Sequence, residues 1–280
     1  MKLDLQRAAR RWVQRPEWLW AFAAATAACL LVYGINAATT GMAEVRPGSV
    51  WGRTYGALAA LLMVGAALLG VRRRTMRWSL GRAQDWVQFH VYGGTLALLL
   101  VLLHSGFRRP VGGLGWWLLA LTLWVTLSGL LGVVLRKWIP RLLASGLNLE
   151  VLYERIPELT ADVRKRAEAL MVSAPAPVED FYRQRIAPDL VRPRVRLIYF
   201  LDITGGIQDR LREFGFLRRL LSPEERPRLD ELESLYRVKL EMDAHFTLQK
   251  ALRFWLYGHV PVSLVLLLLV AIHVVSVLYY

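Results

Sequence analysis

HVYGGTLALLLVLLH, from His90 to His104, and HVPVSLVLLLLVAIH, from His259 to His273, share one plan. Each has a histidine at both ends, an apolar interior and a spacing of fourteen residues between the imidazoles. At ~1.5 Å per residue each covers much of a ~30 Å hydrocarbon core, so both read as membrane-spanning helices. Ionisable side chains inside such helices are costly and face a bundle interior or a functional cavity. Fourteen residues at ~100° each leave the two histidines within ~40° of one helix face and ~21 Å apart along it.

Working outward, the rest of the chain agrees with a membrane environment. It has 280 residues, 55% of them hydrophobic, against roughly 45–50% for soluble domains, and the excess falls in blocks. Five spans are expected, at 17–38, 53–71, 86–107, 114–136 and 255–279. Tryptophans and tyrosines, among them Trp18, Trp51, Trp86, Trp116, Trp138 and Trp255, cluster at their edges, where amphipathic rings favour the membrane interface. Lys2, Arg7, Arg10, Arg11 and Arg15 precede the first span, and Arg72, Arg73, Arg74, Arg77 and Arg82 fill or flank the loop after the second. The opposite loops carry only Arg46, Arg53, Arg108 and Arg109. By the positive-inside rule the N-terminus is cytoplasmic and the C-terminus extracytoplasmic. The first apolar block is longer than a signal-peptide core, so it is expected to stay as a span in a membrane of the bacterial inner type.

The expected fold is therefore all-α: a polytopic membrane helical bundle of five spans, with a helical cytoplasmic insertion between spans four and five. Residues 1–16 form a basic amphipathic segment, 17–138 the first four spans, 139–253 the insertion and 254–280 the last span. Within the insertion, the proline-rich stretches 173–180 and 187–195 read as hinges. SPEE, at 222–225, reads as a helix start that leads almost into span five, with Pro261 at the junction. The net charge of +14 is concentrated near the spans: from Arg136 to Arg253 there are 22 basic and 18 acidic residues. That balance argues against nucleic acid as a partner. The single cysteine, Cys29, excludes a disulfide framework and a thiolate-held cluster within the chain.

Spans three and five run in the same direction, so His90 and His259 share one depth, and His104 and His273 another. Two opposed imidazoles with no carboxylate or thiolate nearby match bis-histidine ligation of haem better than a four-ligand zinc site. The expectation is two non-covalent haem b groups, with His90, His104, His259 and His273 as axial iron ligands. Gly93, Gly94 and Gly106 would make room for flat macrocycles, as would Ser263, Ser276, Ser128, Gly129 and Gly132. Arg82 and Arg253 near the inner pair, and Arg108 and Arg109 near the outer pair, would face propionates. His245 and Met76 each lie fourteen residues before a histidine of the set, outside the apolar core.

The paired H-x13-H segments on parallel spans resemble the diheme membrane cytochromes b. Their placement on spans three and five is most similar to the ferric reductase-like transmembrane domain superfamily. The resemblance covers spans two to five and implies that the four histidines are haem ligands. The chain departs from that pattern in its large insertion and in having no flavin or nicotinamide domain before Tyr280. The function so implied is transmembrane electron transfer by a diheme b-type subunit, between a cytoplasmic or quinone partner and an extracytoplasmic one. Its partners would be membrane lipid and separate redox subunits on one or both sides. Two alternatives stand beside it. One is a quinol-oxidising or quinone-reducing membrane subunit of a redox complex, with quinone as a further ligand and Asp85 or Glu44 as a proton group. The other is a non-redox scaffold or transporter.

Overall fold

A computed structural model of the chain describes residues 16–41, 46–74, 81–146 and 153–279. The expected amphipathic helix before the first span, Glu44, Met76 and Arg77 lie outside the described residues. All regular structure among the described residues is helical. Five helices are long and apolar enough to cross a membrane. They are α1 (Pro16–Thr40), α2 (Val50–Arg74), α3 (Ala83–His104), α4 (Gly112–Gly146) and, last in the chain, α9 (Arg226–Tyr279). The protein is an all-α polytopic membrane bundle.

The chain divides into two compact units, one of residues 1–131 with 258–280 and one of residues 132–257. In the first, α3 packs against α2 and α1. Tyr33, Tyr55, Ala59, Leu100 and Leu103 form its buried cluster. Phe22 meets Tyr92 at 5.4 Å between ring centroids, and Tyr33 meets Phe107 edge-on at 5.8 Å. Much of the remaining apolar surface, such as Leu31, Leu61, Leu127 and Leu268, is exposed, as expected where lipid is the solvent. Helix α3 ends in a tight turn in which the amide of Phe107 donates to the carbonyl of Leu102. Gly106 (φ 60°) and Phe107 (φ 56°) both take the left-handed conformation there. Gly106 adopts it without the Cβ penalty that Phe107 bears.

The second unit is water-type in its patterning. The intervening helices are α5 (Ile156–Met171), α6 (Ala176–Phe181), α7 (Ala187–Leu190) and α8 (Ile203–Leu220), with a π-turn at Tyr182–Ile186 and 3₁₀ turns at Tyr153–Arg155 and Leu197–Phe200. Helix α8 buries Ile203, Ile207, Leu211 and Phe214, and α5 buries Ile156, Thr160, Val163, Ala167 and Leu170. That is the i, i+3/i+4 stripe of an amphipathic helix. These stripes close on Leu229, Leu232, Tyr236, Leu240 and Leu248 of α9.

The proline stretches do more than bend the chain. Pro175 precedes α6, and Pro177 and Pro188 sit in the first turns of α6 and α7, where a missing N–H costs nothing. The extended residues after α7 have no strand partner. Instead, the Arg194 amide donates to Asp243 Oδ1 at 2.8 Å and the Arg196 amide to Thr247 Oγ1 at 3.1 Å. The expected helix start at 222–225 moves to Arg226. The Ser222 amide and hydroxyl both donate to Glu225 Oε2, and the Glu225 amide returns a bond to the Ser222 carbonyl. That closed turn delays the helix. Pro227 then stands in the first turn, and the helix runs on through Pro261.

Candidate functional site

The bundle brings the four span histidines together in two pairs. His90 and His259 lie 6.2 Å apart between ring centroids with planes at 70°, and His104 and His273 lie 6.3 Å apart at 78°. Helix α2 orients both histidines of α3. His90 Nδ1 is 2.9 Å from the Ala66 carbonyl oxygen, and His104 Nδ1 is 2.8 Å from that of Gly52. A carbonyl oxygen only accepts, so in each ring Nδ1 carries the proton and Nε2 is left as a bare acceptor. Gly56 makes the second contact possible: a Cβ there would stand 2.8 Å from His104 Nδ1. Gly65 gives the same clearance to the Phe89 ring, beside His90.

His259 is held from α4. Its Nδ1 lies 2.8 Å from Ser128 Oγ, which is also 3.1 Å from the Val125 carbonyl oxygen. The Ser128 hydroxyl can donate to or accept from that ring nitrogen, and in either sense it fixes the orientation of the His259 imidazole. Gly129 lies against the ring, with an added Cβ 3.4 Å from Cε1. The Trp124 indole donates to the Gly258 carbonyl at 3.5 Å, tying α4 to the residue before His259.

A partly open cavity lies beside the inner pair. His90, His259, Thr95, Thr122, Thr126 and Ser263 supply its polar wall, with Met63, Leu266 and other apolar side chains around them. Thr95, Thr122 and Ser263 give their hydroxyl protons to the carbonyls of Val91, Leu118 and Val260. Their oxygens, like Nε2 of His90, are therefore acceptors in the cavity wall.

The other expected site residues are spread. Gly94 lines the cavity, whereas a Cβ on Gly93 would only touch the Phe89 ring at ordinary distance. Gly106 caps α3. Arg82 is exposed at the N-cap of α3, and Arg108 and Arg109 are exposed after its end. Arg253 is engaged by the Glu154 carboxylate and lies 4.1 Å over the Tyr153 ring. Asp85 sits in the first turn of α3. Gly132 seats the Trp255 indole, which an added Cβ would overlap. His245 is buried within the second unit.

The expectation of haem is corrected here. Among the described residues, no three His, Cys, Asp or Glu side chains come together as a group that could hold a metal ion. Among those residues neither histidine pair gains a third such side chain to complete a cluster. This overturns the resemblance to the diheme cytochromes b, the two haem b groups, the iron-ligand reading of His90, His104, His259 and His273, and diheme electron transfer as the function. Comparison with family models, with curated proteins and with solved structures finds no match to the chain.

The residues that orient the histidines were not singled out by sequence reasoning. Gly52 and Ala66 act through backbone carbonyls, which no side-chain pattern marks. The pair Gly52 and Gly56, a small-xxx-small step in a membrane span, was the available signal. Ser128 drew notice for its size and not for its hydroxyl.

Proposed function

We propose that the chain is the quinol-oxidising membrane subunit of a redox complex, with the cavity beside His90 and His259 as its quinol site. The observation that carries this reading is the acceptor character of the cavity groups whose protons are assigned: Nε2 of His90 and the hydroxyl oxygens of Thr95, Thr122 and Ser263. A quinol offers two O–H donors, whereas a quinone offers only acceptors, so such a wall favours the reduced form. The cavity's apolar surround, within spans, suits a lipid-dissolved ring.

A quinol hydroxyl donates to Nε2 of His90, which takes the proton as the ring is oxidised. The Nδ1–H bond to the Ala66 carbonyl holds that imidazole in place and stabilises it when charged. One quinol yields one quinone, two protons and two electrons. The electrons leave singly to a one-electron carrier in a separate partner subunit. By the charge asymmetry of the loops, the N-terminus is cytoplasmic, the C-terminus extracytoplasmic and the membrane of the bacterial inner type. The insertion, 139–253, then lies on the cytoplasmic side between the spans of 17–138 and 254–280, where it can dock that partner.

The test is photolabelling of the detergent-purified full chain with an azido-benzoquinol. Labelling of the cavity wall is expected, competed more strongly by unlabelled quinol than by quinone, and lost in a folded His90→Ala protein. Labelling that resists competition or survives that substitution would overturn the proposal. So would a porphyrin absorption band in the purified chain that disappears with His90.

A further inference from the structure

The 3₁₀ turn after Arg196 presents apolar side chains outward from a rigid frame. Leu197 is 75% exposed, Leu201 78% and Ile198 48%, while Tyr199 between them is fully buried. Mobility does not account for this. Asp202 caps α8 through a 2.8 Å bond from the Gly205 amide, fixing the chain just after the turn. Gly206 allows the turn to lie close: a Cβ there would stand 3.1 Å from both Ile198 and Tyr199. The Arg194 and Arg196 amides are held on Asp243 and Thr247 just before it. A fixed, contiguous apolar patch of this kind marks an interaction surface.

What covers it follows from Trp138. The Phe200 ring lies 6.4 Å from the Trp138 ring. Trp138 stands on α4 just after Arg136 and Lys137, near the end of the span-length stretch Gly112–Leu143. An indole in that position lies at headgroup level. Phe200 is therefore at the same level, and the exposed Leu197 and Leu201 lie within three residues of it in the same turn. Lys137, Arg141 and Arg192 are exposed on the two segments that meet there, which suits anionic headgroups.

We propose that the turn Leu197–Leu201, packed on Trp138, is a lipid-surface anchor that seats its leucines in the headgroup–acyl boundary of the bilayer. It is independent of what the histidine cavity binds. The lone cysteine makes the test direct. The full chain carrying Cys29→Ser receives Leu197→Cys, Leu201→Cys or, as a control on another exposed part of the same unit, Val172→Cys. Each is spin-labelled and reconstituted in phosphatidylethanolamine–phosphatidylglycerol nanodiscs at one chain per disc. The expected result is an oxygen-to-nickel-chelate collision ratio several-fold higher at 197 and 201 than at 172. Equal ratios at the three sites would overturn the anchor. Spin–spin broadening in vesicles, with an aqueous-type ratio in single-chain discs, would assign the patch to a second copy of the chain and overturn it equally.

Discussion

His104 and Gly52 are joined by a 2.8 Å hydrogen bond from an imidazole Nδ1–H to a main-chain carbonyl oxygen. The same relationship recurs between His90 and Ala66 at 2.9 Å. On α3 the donors are fourteen residues apart, and on α2 the acceptors are fourteen apart in the opposite sense. One antiparallel helix pair thus sets the rotamer, tautomer and depth of two histidines. Neither ring depends on a charged partner for its orientation.

Gly56→Leu should break the outer of these bonds. The new side chain starts 2.8 Å from His104 Nδ1, and relieving such overpacking costs about 1–3 kcal/mol. The measurement is ¹⁵N NMR of histidine-labelled protein. The His104 Nδ1–H signature should be lost while that of His90 persists. Retention of both signals would show that the ring is held by something other than α2.

Ser128→Ala removes the hydroxyl 2.8 Å from His259 Nδ1, and loss of a buried hydrogen-bond partner costs about 1–3 kcal/mol. The thermal midpoint should fall, and quinol competition in the photolabelling assay should weaken. Ser128→Thr, which keeps the hydroxyl, should recover most of both. A Thr variant no better than Ala would indicate that the size of Ser128, and not its oxygen, is what matters.

Asp189 provides a pH test in the second unit. Burial pushes its carboxyl up, but the Tyr236 hydroxyl at 2.7 Å and the Arg196 and Arg194 guanidiniums at 2.5 and 2.8 Å outweigh that and hold it below the usual carboxylate range. A carboxyl with a lowered folded value stabilises the fold above its ordinary value, and that contribution is lost as pH falls through the lowered one. The thermal midpoint should therefore drop on acidification through and below the ordinary carboxylate range. Asp189→Asn should lower it at neutral pH, by about 3 kcal/mol in stability, and flatten the acid slope. An unchanged slope would remove Asp189 from the acid response.

Gly132→Val should dislodge Trp255, whose indole occupies the space a Cβ would need. Because that indole is only partly buried, the expected readout is a red-shifted, more quenchable tryptophan emission together with a lower thermal midpoint. An unshifted spectrum in a folded variant would mean the two helices separate without exposing the ring.

The spans were legible because membrane helices must satisfy their backbones internally and be apolar over a fixed length. That leaves a signal that neighbouring residues cannot disguise: 53–71 and 86–107 fall on α2 and α3 to within three residues at each end. The start of α9 was legible in kind but not in position: Glu225 accepts from the Ser222 amide as in a helix cap, and one turn intervenes before the helix begins at Arg226. At the site, periodicity placed four histidines, but the chemistry around them rests on carbonyls and on where a hydroxyl proton goes. Gly52, Ala66 and Ser128 look like ordinary small residues until the helices are packed. The step from paired imidazoles to iron leaned on spacing, depth and span direction, and among the described residues no third His, Cys, Asp or Glu joins either pair.

The two carbonyls of α2 also constrain how this chain can evolve. Residues 53–65 lie between Gly52 and Ala66, and outside Gly56, Gly65 and the buried Tyr55 and Ala59 the segment can exchange side chains without disturbing either acceptor. It cannot change its length. One inserted residue would turn one end against the other by ~100° and shift it by ~1.5 Å, so only one histidine could keep its partner. Descendants of this sequence should accumulate substitutions at its lipid-facing positions, and insertions or deletions almost never.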